Sequence, residues 1–313
     1  AVGRVAKHGE GLGQAGLDNG AAQAHGPQIE GLEHAAVVAH APLELDVARL
    51  VEPAGGHEAL GGAAVLVPAV PSAAQEVVQA LPPREAAELN AAMRRLSARP
   101  TDLEALVRAG TASLALRDIS AAAGFFTRAA AVAPADARVI LGNARVALAQ
   151  RRPVAALRGF EAAEAAGIRP IEIAADRGLA FDLVGEPTKA QALYRSVLAA
   201  GENAEVRRRL ALSYAIDGNR HEFDRTLYPL LRDEDRSAYR TRAFGLAILG
   251  RTDEAVSIAD TMMSTDLALR MAPYLRYMPR LTKAQQAAAG NLGAFPAAAD
   301  IGRDAPEIAA YAS

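Results

Sequence analysis

The feature that most constrains this chain is a pattern of small, aliphatic and aromatic positions that returns about every 34 residues. Its first clear copy is Leu106, Gly110, Ala122, Phe126, Ala129 and Pro134, and one period on come Ile140, Ala144, Ala156, Phe160 and Ala163. The next copy holds Gly178, Phe181, Gly185, Ala190 and Tyr194. Two looser copies follow: Ala211, Tyr214 and Gly218 with Leu227, then Ala243, Leu246, Gly250, Ala255 and Ala259. Within a copy the spacing fits two amphipathic helices, with small residues where helices cross closely and one aromatic filling the gap to the next copy. Pro134 falls where the second helix must stop, because proline lacks the amide and clashes with the preceding turn. A chain built this way buries its core one repeat at a time and needs no single globular centre.

These in-phase positions resemble the tetratricopeptide repeat family over residues 84–289. The resemblance implies an all-α fold, a right-handed α-solenoid of helix-turn-helix repeats whose first helices line a concave groove. Leucine or isoleucine stands where many members carry tryptophan, and Ser113 and Ala147 stand where tyrosine is usual. The expected organisation is a low-complexity, largely irregular leader over residues 1–74, a capping helix within 75–102, an array of about five repeats over 103–267, and closing helices with a tail over 268–313. The closing helices are expected near 272–277 and 282–289, with Gly290, Gly293 and Pro296 marking the exit into a loop.

A narrower resemblance lies in residues 75–83, 176–185, 205–218 and 272–293, with the strings DRGLAFDLVG, RRRLALSYAIDG and APYLRYMPRLTKAQQAAAGNLG. They are similar to alphaproteobacterial envelope proteins in which such an array precedes a SPOR domain, a peptidoglycan-binding module. That module has no room here, so peptidoglycan binding is not assigned to these residues. The resemblance implies a scaffold in the periplasm and allows a peptidoglycan-associated partner.

The leader is a different text. Over residues 1–62 glycine, alanine, histidine, proline and valine dominate without a lasting period, and no aromatic occurs before Phe125, so little is available to anchor a core there. The absent initiating methionine suggests a fragment or a processed product, and the composition suggests GC-rich DNA read upstream of, or out of frame with, the true start. An apolar run over 63–75 resembles the end of a secretory signal peptide cut before Gln75, although it lacks a charged beginning. The run is too short to span a bilayer.

A net charge of -2 gives no electrostatic footprint for nucleic acid or anionic lipid. With no cysteine, disulfides, thiolate metal sites and a cysteine nucleophile are excluded together. Gly11, Gly13 and Gly16 match the dinucleotide-binding glycine spacing, but no strand precedes them and no βαβ unit surrounds them. His25, His34, His40 and His57 are spaced for no compact metal site. His221, Glu222 and Asp224 follow a Gly218-Asn219 turn, where polar residues serve capping and solvation. Ser113, Ser196 and Ser213 lie in helical register without a nucleophile elbow. No enzyme activity, cofactor or metal is expected.

In the resembled fold the groove is lined by first-helix residues between the packing positions. Counting along each copy selects Arg108, Arg145, Asp176, Asp182, Arg208, Arg209, Arg240 and Phe244. Arginine forks onto carboxylates and an aromatic anchors apolar side chains, so such a groove suits an acidic or mixed peptide segment. The alternative is that these charges pair among themselves, Asp176 and Asp182 with arginines of adjacent helices. The family positions that clamp a C-terminal carboxylate carry Arg108, Thr111, Gly142 and Arg145 here, and do not support that ligand. The expected function is a non-enzymatic scaffold binding a protein or peptide segment, with a self-assembly module stacking through terminal repeats as the alternative.

Overall fold

A computed structural model describes residues 83–311, and among them the secondary structure is entirely helical. Helix α1 (Arg84–Ala98) is followed by five hairpins. They are α2 (Leu103–Ala115) with α3 (Ile119–Val132), α4 (Ala137–Ala149) with α5 (Pro153–Ala165), α6 (Pro170–Leu183) with α7 (Pro187–Ala200), α8 (Ala204–Ile216) with α9 (Arg220–Arg232), and α10 (Arg236–Ile248) with α11 (Thr252–Met262). Then come α12 (Thr265–Tyr277), a 3-10 turn (Met278–Arg280), α13 (Lys283–Leu292), a second 3-10 turn (Ala298–Asp300) and α14 (Pro306–Tyr311). Gly11, Gly13 and Gly16, the histidines at 25, 34, 40 and 57, and the apolar run at 63–75 lie outside the described residues.

Local sequence explains where each helix begins. Asp102, Asp118, Asp136, Asn203, Asn219 and Asp235 occupy N-caps and accept a hydrogen bond from a backbone N–H one or two residues into the helix, satisfying a donor that has no partner within it. Helices α5, α6 and α7 instead start with Pro153, Pro170 and Pro187, placed where a missing N–H costs nothing. Helix α3 ends at Val132, two residues before Pro134, as the sequence predicts.

The turn inside each hairpin contains one residue with left-handed backbone: Arg117 (φ 61), Arg151 (φ 59), Gly185 (φ 80), Gly218 (φ 79) and Gly250 (φ 79). Glycine takes this conformation freely, whereas a Cβ meets its neighbouring carbonyl there. The first two hairpins therefore carry strain that the last three avoid.

Packing between hairpins follows the predicted small and large positions. Phe126, on α3, is buried with its ring between Gly110 of α2 and Gly142 of α4; a Cβ on Gly142 would sit 1.9 Å from that ring and one on Gly110 would sit 2.6 Å from it. Tyr194 on α7 meets Gly178 in the same way, and Phe223 on α9 meets Gly245 of α10. Ala122, Ala129, Ala156, Ala163, Ala190 and Ala255 are all fully buried at the other crossing points.

Each first helix also packs against the next first helix, from α2 through α4, α6, α8 and α10 to α12, and no comparable contact joins successive second helices among the described residues. The rows are thus closer on the first-helix side, so the stack curves with α2, α4, α6, α8 and α10 on its inner face.

One difference from expectation lies near the end. Gly290 is inside α13 and the helix exits at Gly293 (φ 64), because the chain at position 290 presses against α8 and has no room for a side chain: a Cβ there would be 2.5 Å from Leu212 Cδ2.

Gly142→Ala should destabilise the protein by about 1–3 kcal/mol, since overpacking against a buried ring outweighs the ~1 kcal/mol helix-propensity gain. Gly124→Ala, with open space at its Cβ, should gain that increment instead, and urea unfolding of both variants checks the pair. Arg117→Gly and Arg151→Gly should each stabilise by about 1 kcal/mol through relief of left-handed strain, measured by the same unfolding curves.

Candidate functional site

The inner face of the first helices carries a ladder of ion pairs. Arg138 on α4 reaches Glu104 on α2 at 2.7 Å, Arg145 on α4 reaches Asp176 on α6 at 2.8 Å, and Arg208 on α8 reaches Asp235, the N-cap of α10. Arg108 is exposed and pairs within its own helix to Glu104 at 3.2 Å, and Arg209 pairs within α8 to Glu205. Arg145, Asp176, Arg208 and Arg209 are therefore met by carboxylates or guanidinium groups of this same chain. The pairs are exposed or only partly buried and contribute little, about 0–1 kcal/mol each, while bridging neighbouring first helices. Arg240 lies 5.6 Å over the Phe244 ring, and its guanidinium affinity for the proton is lowered by burial and by the charge of Arg117.

Asp182 does not reach the groove. Its side chain is fully buried between α6, α7 and α8, where Ser213 Oγ donates to Oδ1 at 2.7 Å and the Tyr194 hydroxyl donates to Oδ2 at 2.9 Å. Loss of hydration pushes its carboxyl up to about 7, against the opposing pull of those two hydrogen bonds and of the Arg209 charge. The Tyr194 hydroxyl is raised well above its ordinary value by the same burial and by the neighbouring carboxylate. Ser213, in register on α8, thus serves a buried network, and Ser196 donates to its own helix through the Leu193 carbonyl. His221 and Glu222 sit in the exposed first turn of α9, where Glu222 is held by Arg225.

The inner face is partly filled by the chain itself, which the repeat pattern does not announce. Helix α13 turns back across α6, α8 and α10, and α14 reaches α5. Lys283 Nζ donates to Asp217 Oδ1 at 3.1 Å, and Ala284 lies beside Gly185, where the φ of 80 is what calls for glycine. Beyond α13, Phe295 joins an aromatic cluster with Phe244 of α10 and Tyr274 and Tyr277 of α12, with ring centroids 6.3, 4.6 and 6.2 Å away. Phe244, counted as a groove residue, is therefore covered by Phe295 and buried. Gln285 secures the following loop, donating to the carbonyls of Asp300 at 2.6 Å and Arg303 at 2.7 Å and accepting from Gly302 N–H at 2.9 Å. A cleft of about 720 Å³ remains between that loop and the α4–α5 turn, with Arg151, Pro153 and Leu183 on one side and Phe295, Arg303 and Ile308 on the other.

No family model and no curated protein matches the sequence. Among the described residues no group of three or more histidine, aspartate or glutamate side chains is arranged to hold a metal, and no helix is long and apolar enough to cross a membrane.

The buried carboxyl has a consequence for stability. Between about pH 4 and pH 7 the native state keeps a proton on Asp182 that the unfolded chain has released. Its contribution is complete below that window and is lost as pH rises towards 7, at up to about 1.4 kcal/mol per pH unit. Asp182→Asn should remove this slope, so the stability difference between variant and parent should shift in the variant's favour from pH 4.5 to pH 7.5. Parallel pH profiles in urea unfolding would contradict the assignment.

Proposed function

We propose that this chain is a non-enzymatic scaffold of tetratricopeptide-type repeats that binds a protein segment along the inner face of its first helices. One observation carries the reading: a helical segment, α13, already lies across α6, α8 and α10, so the face has the width and surface to receive a helix. The repeat period, the aromatic rings set against glycines and the five stacked hairpins support the family reading. Asp182, whose carboxyl is pushed up to about 7, is buried with Tyr194 and Ser213, a structural role within the array.

On this reading the part of the inner face formed by α2 and α4, away from the resting place of α13, takes the partner first. Arg108 is exposed there and Arg145 half-buried, and arginine suits a segment carrying carboxylates. Placement in the bacterial periplasm, with assembly of the envelope as the task, rests on the sequence resemblance of residues 75–83, 176–185, 205–218 and 272–293.

A photo-crosslinking residue at position 108 or 145 should capture a discrete protein in cells of the source organism. The same residue at Arg158 or Arg195, exposed on the second helices, should not. Equal capture from all four positions would overturn the groove assignment. Fractionation with mass spectrometry of the native N-terminal peptide tests the compartment: a periplasmic product beginning at Gln75 is the expected result.

A further inference from the structure

The segment that covers the inner face is built differently from the helices beneath it. From Ala284 to Pro296 no residue is exposed, yet the side chains doing the burying are small: Ala284, Ala287 and Ala289 are almost or wholly inaccessible, and Gly290 lies against Leu212. None of the largest fully buried side chains of the protein comes from residues beyond Met278. Burial is worth about 0.8 kcal/mol per methylene, so an alanine-lined helix holds its place weakly compared with hairpins anchored by Phe126, Phe160, Tyr194 and Phe223. Phe295 is the one aromatic anchor of the segment and it is only half-buried. The 720 Å³ cleft beside it leaves that edge of the segment without close packing. Few large buried side chains and an open flank are the marks of an element that opens at lower free energy than the array.

The same geometry defines what fits. Leu212 crowds the position of Gly290, where a Cβ would sit 2.5 Å from its Cδ2, Asp217 accepts from an ammonium at the start of the helix, and Phe244 with Tyr274 receives an aromatic five residues past the glycine. We propose that the trough over α6, α8 and α10 is a docking site for a partner helix with an alanine and glycine face, a leading lysine and a trailing aromatic, and that residues 281–311 occupy it in cis until such a helix replaces them. This rests on the scaffold reading of the inner face. The resident segment competes at the high effective concentration of a tethered ligand, so the site is silent towards weak segments and selective for those that reproduce the pattern.

The test uses a fluorescent synthetic peptide of residues 281–311 as the probe, added to the full chain and to a chain ending at Arg280, with anisotropy as the readout. The shortened chain should bind it saturably, the full chain at least about tenfold more weakly, and a Phe295→Ala peptide about tenfold more weakly than the parent peptide. A shortened chain that stays helical but does not bind, or a full chain that binds equally well, overturns the proposal. If the shortened chain does not fold, hydrogen exchange on the full chain decides. Amides of α13 opening before those of α8 support exchange of the segment, and amides opening only with global unfolding overturn it. Because the probe is the chain's own segment, these outcomes are independent of whether positions 108 and 145 capture a cellular partner.

Discussion

An aromatic ring seated against a residue without a side chain sets the spacing of this array. Phe126 between Gly110 and Gly142 brings three helices to a common distance, and Tyr194 on Gly178 and Phe223 on Gly245 repeat the device further along. Once that distance is fixed, the alanines at the remaining crossings are the only residues that fit, and the first helices come close enough for Glu104–Arg138, Arg145–Asp176 and Arg208–Asp235 to bridge them. The charged ladder follows from the apolar spacing. In energy the order is the same, since filling a core site with one excess methyl costs more than an exposed ion pair returns.

Much of this was legible in the residues because its causes are local. The period exposed Leu106, Ala122, Phe126, Ala156, Phe160, Ala190 and Tyr194 as packing positions, and all are buried. The caps and prolines announced where helices begin. Asp176, counted as a groove residue, faces Arg145 of the neighbouring first helix, which is the arrangement of the alternative reading. Asp182 was read as a groove residue because counting along one helix assumes that the helix has an open side. Helix α6 has neighbours on several sides, so the turn that carries Asp182 faces α7 and α8, and the carboxyl is enclosed with Ser213 and Tyr194 instead.

The return of α13 was illegible for a different reason. A helix made, after Lys283, of alanine, glycine and glutamine up to its last residues shows little amphipathic stripe, so nothing in its own sequence tells whether it extends the stack or crosses it. The information lies in Gly185, Leu212, Asp217 and Phe244, spread over about 60 residues of the array and chosen by contacts far from α13 in the chain. In the fourth copy Leu227 is buried as a packing position, and Phe223, one helical turn earlier, fills the place against Gly245. A four-residue step keeps the same helix face, and the period alone does not choose between them.

The order of elements along the chain also gives the protein a history during synthesis. Helices α6, α8 and α10 are complete before α13 and Phe295 leave the ribosome, and synthesis proceeds at about 5–20 residues per second. For that interval the trough stands open, with Leu212 and Phe244 facing solvent. The nascent chain therefore passes through a state in which an apolar surface that the finished molecule covers stands open until α13 closes over it.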